Sequence, residues 1–120
     1  MNIKKILVVE DENIIALDIK SRLKNLGYYV AAVVPSGEEA IKVIEEVNPD
    51  LVLMDIALRG KINGLQAAES ITRNYNIPVI FVTSFSDDNT LKLAHEVSPY
   101  GYLIKPFNEK ELKIKIDNAF

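Results

Sequence analysis

The stretch Lys5-Ile6-Leu7-Val8-Val9-Glu10-Asp11-Glu12 (KILVVEDE) joins an apolar run directly to three consecutive acids. The apolar half is typical of a buried β-strand, and a second apolar run with helical spacing follows Asn13. One acid would serve as a helix cap, but like charges within one turn repel each other. We therefore expect the folded protein to contain something that compensates this negative charge.

The overall composition narrows the class of protein. The chain has 120 residues, the usual size of one domain, with 48% apolar and 26% charged residues. A net charge of −3 argues against a nucleic-acid-binding surface as the main function. Because there is no cysteine and a single histidine, His95, disulfides and cysteine- or multi-histidine metal sites are not expected. A metal ion would be held by oxygen ligands.

No targeting or membrane segment is recognisable. The N-terminal apolar run is too short, and too quickly followed by acids, for a signal peptide. No apolar run approaches the roughly 20 residues that span a bilayer. We therefore expect a cytoplasmic protein without a membrane partner.

Short apolar runs alternate with amphipathic segments along the chain. We predict strands at 3–9, 28–34, 50–55, 77–82 and 100–104, and helices at 13–26, 36–47, 64–74, 87–97 and from 108 onward. Ser36 is the predicted N-cap of the second helix, with Glu39 at the capping-box position. Continuous apolar strands, each followed by a helix, favour an α/β fold with a five-stranded parallel sheet covered on both faces. Right-handed crossovers favour a doubly wound, flavodoxin-like (βα)₅ sheet with strand order 2-1-3-4-5.

In such a sheet, ligands bind at the carboxyl ends of the strands. The polar residues there are Glu10 and Asp11 after strand 1, Asp55 at the end of strand 3, Thr83 after strand 4 and Lys105 after strand 5. Neighbouring strands lie about 4.8 Å apart, so Asp11 and Asp55 should meet. Two carboxylates about 5 Å apart repel by roughly 3 kcal/mol at an effective dielectric near 20, and a Mg²⁺ ion would remove that repulsion. Glu10 and Asp11 are therefore predicted metal ligands or their near neighbours, whereas we expect Glu12 to face solvent.

Asp55 differs from the other acids because it ends a strongly apolar strand. A partly buried carboxylate beside a cation can act as a nucleophile toward phosphorus. The resulting phosphoryl dianion needs partners, and Lys105 offers a charge and Thr83 a hydroxyl donor. Each residue alone has an ordinary structural explanation as a helix cap, strand end or surface side chain. Their convergence on one sheet edge favours a functional site.

Four motifs carry a family resemblance: VVEDE near the N-terminus, PDLVLMDI around Asp55, VTS at strand 4 and YLIKPF at strand 5. With them, the chain resembles the receiver domain of two-component response regulators over nearly its whole length. The resemblance implies one receiver domain at 1–120, with no output domain, whose Asp55 accepts a phosphoryl group from a sensor histidine kinase or phosphotransfer protein. It implies that Mg²⁺, or Mn²⁺ in its place, is bound by Glu10, Asp11, Asp55 and the backbone carbonyl of Ala57. It further implies that Thr83 and Lys105 contact the phosphoryl group, and that the Lys105–Pro106 bond is cis.

The resemblance also implies a switch. Phosphorylation would draw in Thr83 and turn Tyr102 inward, and the face formed by the fourth helix, fifth strand and fifth helix would report the change. That face would contact an unidentified output partner or a second copy in a homodimer, with no direct nucleic-acid contact. We expect no enzymatic activity beyond the chain's own phosphorylation and dephosphorylation. Ala57 and Phe85 occupy positions that tune hydrolysis, and neither offers a group to orient water, which predicts a long-lived phosphoryl state.

Three other classes of protein fit the sequence less well. A flavodoxin-like cofactor binder needs a Ser/Thr/Gly-rich phosphate cradle after strand 1, where this chain has EDEN. A dehalogenase-like phosphatase needs a second acid two residues after its nucleophile, at Ala57. A degenerate receiver would lack part of the acidic set, which is complete here.

His95 has no partner acid or base and is interpreted as a surface or boundary side chain. Ile114 lies off the face of Leu112 and Ile116, and burial on a broad apolar face is favoured over exposure at an interface.

Overall fold

The structure is a computed structural model that describes residues 3–56, 63–83 and 101–120. The strands are β1 (Lys5–Val9), β2 (Tyr29–Val34), β3 (Leu51–Asp55), β4 (Val79–Thr83) and β5 (Gly101–Ile104). The helices are α1 (Asn13–Asn25), α2 (Gly37–Val47), α3 (Gly64–Tyr75) and the C-terminal helix (Glu109–Ala119). Each lies close to its predicted position, and the helix predicted at 87–97 lies outside the described residues.

The five strands form one sheet in the order β2-β1-β3-β4-β5, and every neighbouring pair is parallel. This confirms the predicted α/β fold. The central strands β3 and β4 are buried along their whole length, as their continuous apolar sequences require. Their side chains alternate between two separate cores, because successive residues of a strand point to opposite faces.

The two cores lie on opposite faces of the sheet. One contains Leu7, Val52 and Phe81 and is covered by α2 and α3. The other contains Val8, Leu53 and Ile80 and is covered by α1 and the C-terminal helix. The carboxyl edge between these layers is the position at which the predicted site residues leave the sheet.

Side-chain caps fix where several helices begin. Ser36 Oγ accepts a hydrogen bond from the Glu39 amide at 3.2 Å, which confirms Ser36 as the N-cap of α2. Asn63 and Gln66 form a complete capping box at the start of α3, a feature that was not predicted. Among residues 3–56, 63–83 and 101–120, the structure contains no helix whose length and apolar character would let it span a bilayer.

The C-terminal helix packs through a narrower apolar face than expected. Leu112 and Ile116 are fully buried, but Ile114 is 49% exposed. The expectation that Ile114 is buried was therefore wrong. Positions two residues apart on a helix point about 200° away from each other, so burying Leu112 and Ile116 turns Ile114 to solvent.

Candidate functional site

Strand pairing places the first two acids of the site side by side. Val9 of β1 is the register partner of Met54 of β3. The next residues, Glu10 and Asp55, therefore lie together at the end of two neighbouring strands. Both side chains are buried, with Glu10 3% and Asp55 6% exposed. Burial of two carboxylates at one point is costly unless charges compensate them.

Lys105 provides one compensating charge. It directly follows β5, and its backbone amide donates a hydrogen bond to the carbonyl of Thr83 at 2.8 Å. Its Nζ lies 2.6 Å from Oε1 of Glu10 and 3.4 Å from Oδ2 of Asp55. The lysine therefore bridges two acids that come from different strands.

Three carboxylates form an acidic cluster: Glu10, Asp11 and Asp55. Each offers one oxygen that lies within 4.8 Å of the oxygens of the other two. Hard divalent cations prefer such oxygen donors, and Mg²⁺ is commonly held by a few carboxylates together with water. The acidic cluster therefore fits a Mg²⁺ site by the chemistry and spacing of its donors. Glu12, by contrast, is exposed, as predicted, and its amide donates to Oε2 of Glu10 at 3.2 Å.

The electrostatics of the site follow from burial. Burial raises the pKa of Glu10 from 4.5 to about 7, and neighbouring Asp55 adds to that rise while Lys105 opposes it. Burial alone would lower the pKa of Lys105, but its hydrogen bond to Glu10 and the nearby charge of Asp55 raise it overall. Lys105 therefore stays a cation at neutral pH.

Thr83 and Tyr102 lie on the neighbouring strands β4 and β5. Thr83 is the last residue of β4 and is fully buried. Tyr102 is half-buried and pairs in register with Phe81, and their rings stack with centroids 6.2 Å apart. The hydroxyl oxygen of Tyr102 is buried, and burial raises the pKa of that hydroxyl. The ring of Tyr102 is therefore turned toward the sheet core in this structure.

Several sequence predictions about the site fall on undescribed positions. The predicted metal-binding carbonyl of Ala57, the hydrolysis-tuning role of Phe85 and the boundary position of His95 lie outside the described residues. The predicted cis peptide bond between Lys105 and Pro106 is confirmed.

Two features of the site were missed from the sequence. One is the ion pair between Lys105 and Glu10, because the lysine was assigned only to the phosphoryl group. The other is Gly64, whose position at the start of α3 lies directly against the backbone of Asp55. A glycine at the first turn of a predicted helix was the available signal, since close backbone approach favours glycine.

The doubly wound parallel sheet, with three carboxylates and a lysine together at its carboxyl edge, defines the class of protein as an α/β domain with an oxygen-rich ligand site. The family model of the response regulator receiver domain matches residues 6–117. The chain therefore belongs to the response regulator receiver family of two-component signalling, as the motifs indicated.

Relatives support the assignment. The chain is 31% identical over 116 residues to the transcriptional regulatory protein PdtaR of Mycobacterium tuberculosis, covering 97% of this chain and 56% of that protein. It is 34% identical to the probable transcriptional regulator ycf27 of Cyanophora paradoxa, covering 97% of this chain and 48% of that protein. The chain thus spans about half the length of these curated relatives.

Solved structures agree. The signal receiver domain of a modulated diguanylate cyclase from Desulfovibrio desulfuricans G20 superposes with a TM-score of 0.94 at 36% identity, covering 98% of this chain and 94% of that chain. The BeF₃-activated N-terminal receiver domain of RstA from Klebsiella pneumoniae superposes with a TM-score of 0.88 at 30% identity, covering 96% of this chain and 97% of that chain.

Proposed function

We propose that this receiver domain is a phosphorylation-dependent switch whose phosphoacceptor is Asp55, working with Mg²⁺. The observation that carries the proposal is the buried Asp55 carboxylate, which lies 3.4 Å from the Lys105 ammonium and within 4.8 Å of two further acids. A structural aspartate at a strand end would not require a lysine and a metal-binding group of oxygens around it.

The chemistry assigns a role to each residue. A carboxylate oxygen of Asp55 attacks phosphorus of a phosphohistidine, forming a P–O bond as the P–N bond breaks and the imidazole takes a proton from solvent. Lys105 neutralises charge on the transferred group, and the Thr83 hydroxyl donates a hydrogen bond to it. Glu10, Asp11 and Asp55 would hold Mg²⁺, which supplies charge compensation for phosphoryl transfer when bound. Mn²⁺, with similar oxygen preferences, would substitute.

The response to phosphorylation is proposed to pass through Thr83 and Tyr102. Thr83 lies at the edge of the site, and Tyr102 lies on the adjacent strand with its ring against Phe81. Movement of Thr83 toward a phosphoryl group would change the packing available to Tyr102. The outer surface of β5 and the C-terminal helix, where Ile104 and Ile114 are exposed, would transmit the change to a partner or a second copy.

The proposed biological setting follows from the family. The phosphoryl donor would be a sensor histidine kinase or a phosphotransfer protein in the cytoplasm. The chain's own phosphorylation and dephosphorylation would be the only reactions it promotes, and the predicted slow hydrolysis would give a lasting signal.

Mass spectrometry after incubation with acetyl phosphate and Mg²⁺ tests the proposal. The wild type is expected to gain one phosphoryl group, and Asp55→Asn is expected to gain none. Asp18→Asn, which removes an acid whose side chain is 57% exposed on α1, is a control that should behave as wild type. Chelation of Mg²⁺ should abolish the gain, and added Mn²⁺ should restore it. An unmodified wild type, or equal modification of Asp55→Asn, would contradict the proposal.

A further inference from the structure

Gly64 makes an unusually close approach to the proposed phosphoacceptor. It is buried and is the first residue of α3. A Cβ atom at this position would overlap the carbonyl oxygen of Asp55 and would lie 2.8 Å from the Cα of Ile56. All of these neighbours are backbone atoms, so no flexible side chain can move aside. Any residue other than glycine would have to shift the helix or the end of β3.

The start of α3 is also firmly attached at this point. The amide of Gly64 donates a hydrogen bond to the carbonyl of Ile56 at 3.2 Å. The capping box of Asn63 and Gln66 fixes the first turn. One turn further, Ala67 is fully buried against the sheet. The helix is therefore held directly against the backbone of Asp55 and Ile56.

We infer that Gly64 is a positioning residue for phosphoryl transfer. Its missing side chain allows α3 to brace the peptide between Asp55 and Ile56, and this fixes the direction in which the Asp55 carboxylate leaves the sheet. That direction matters because the carboxylate lies within 3.4 Å of Lys105 and shares the acidic cluster with Glu10. The inference rests on the proposed function of Asp55 and adds a residue that touches neither phosphorus nor metal.

The test compares two glycine-to-alanine variants. Gly64→Ala adds a methyl group against Asp55. Gly27→Ala adds the same group at φ +92°, with nothing within 4 Å. Gly27 lies just before β2, at the amino-terminal end of the strand and away from the carboxyl edge of the sheet. Alanine is strained at positive φ, so Gly27→Ala should also lower the melting temperature. It therefore controls for loss of stability without a change at the site.

Three quantities are measured at a temperature at which circular dichroism reports both variants as folded. They are the Mg²⁺ affinity by calorimetry, the phosphorylation rate at saturating acetyl phosphate, and the acetyl phosphate concentration that gives half that rate. For Gly64→Ala we expect the maximal rate to fall about tenfold or more, because small misplacement of a reacting group is costly. We expect its Mg²⁺ affinity to fall by about threefold or more, since Asp55 is in the acidic cluster. Gly27→Ala should retain both.

A folded Gly64→Ala protein with wild-type rate and Mg²⁺ affinity would overturn the inference. Equal losses in Gly27→Ala would also overturn it, because they would mark a general stability effect. An unmodified wild type would instead refute the proposed function of Asp55, while the Mg²⁺ affinities would still decide whether Gly64 positions the acidic cluster.

A second pair of variants keeps the inference testable if Gly64→Ala does not fold. Asn63→Ala removes the capping box beside Gly64 and adds no atoms, and we expect it to lower the phosphorylation rate and Mg²⁺ affinity about twofold to fivefold. Ser36→Ala removes the equivalent cap of α2 and should leave both unchanged. If Asn63→Ala and Ser36→Ala have the same phosphorylation rate and Mg²⁺ affinity, the proposed role of the α3 attachment is contradicted.

Discussion

Glu10 illustrates how individual residues of the site oppose the stability of the fold. The residue is 3% exposed, and burial raises the pKa of its carboxyl from 4.5 to about 7 even though Lys105 Nζ lies 2.6 Å away. Ionisation of Glu10 therefore costs more free energy in the folded chain than in the unfolded chain, and it lowers the free energy of unfolding. A residue with this cost is expected where charge is needed for binding, because functional sites commonly sacrifice stability.

Glu10→Gln should therefore stabilise the metal-free protein in a pH-dependent way. Because the folded pKa of Glu10 is raised, its contribution to stability is fully present below pH 4.5 and is lost as the pH rises to about 7. Glu10→Gln does not ionise and therefore does not lose this stability. Its free energy of unfolding should exceed that of the wild type by as much as about 3 kcal/mol near pH 8 and by much less near pH 5. Urea unfolding in chelator at both pH values measures the difference.

Addition of Mg²⁺ should make the wild type more stable than Glu10→Gln. The wild type should gain more unfolding free energy from Mg²⁺ than Glu10→Gln does, because a neutral amide binds the ion more weakly than a carboxylate. A variant that is less stable than wild type in chelator at both pH values would show that the Lys105–Glu10 pair stabilises more than burial costs.

For individual residues, the sequence predicted which side chains lie at the carboxyl edge of the sheet. It did not predict which of them form contacts with each other. Asp55, Thr83 and Lys105 could be placed at one edge because parallel strands end together. The Glu10–Lys105 contact depends on side-chain conformation across several strands, and the role of Gly64 depends on the distance between two backbones. Neither quantity is encoded in local periodicity.

The elements themselves were predictable because their apolar spacing is strong. One shift is at β1, which begins at Lys5 rather than Ile3, because the pairing of β1 with β2 starts at Lys5 and Tyr29. Ile3 is 65% exposed and adds nothing to either core. An irregularity in the β1–β2 pairing between Ile6 and Leu7 was also unpredicted, since register depends on both strands together.

A hydrogen bond between elements offers a test of helix attachment. Tyr28, just before β2, donates from its hydroxyl to Oδ1 of Asp117 on the C-terminal helix at 2.9 Å. Burial, with the added effect of Asp117, raises the pKa of Tyr28 from 10.0 to about 12. The contribution of Tyr28 to stability is therefore complete below pH 10 and is lost as the pH rises toward about 12.

We expect Tyr28→Phe to lower the free energy of unfolding by about 1 kcal/mol near pH 8. This is less than the roughly 1.5–3 kcal/mol usual for a bond to a charged group, because the Asp117 carboxylate is exposed to solvent. The difference from wild type should shrink steadily above pH 10, as Tyr28 begins to ionise in the unfolded chain. Tyr29→Phe, at the neighbouring position where the side chain is 57% exposed, should have little effect. Urea unfolding across this pH range measures all three proteins. A difference in unfolding free energy between Tyr28→Phe and wild type that does not change with pH would contradict the assigned contact between the Tyr28 hydroxyl and the Asp117 carboxylate.

At the scale of the whole molecule, the two edges of the sheet present different apolar surfaces. Beside β2, Leu17 is 65% exposed and lies near the partly exposed Val33. At the β5 edge, Ile104 is 46% and Ile114 49% exposed, and both line a cavity of about 260 Å³ with Tyr102. The β5 surface is therefore continuous with the proposed switch residue, whereas the β2 surface lies at the far end of the sheet.

This asymmetry predicts where a phosphorylation-dependent homodimer would form. If the second copy binds at the β5 edge, sedimentation should detect more dimer after treatment with acetyl phosphate and Mg²⁺. Ile114→Lys should reduce that dimerisation about tenfold or more, because a charge would be buried in the contact. Leu17→Lys places the same charge on an even more exposed apolar residue at the opposite edge and should dimerise as wild type does. Both variants should still be phosphorylated on Asp55, so equal dimerisation of Ile114→Lys and wild type would exclude the β5 edge as the contact without affecting the phosphoacceptor assignment.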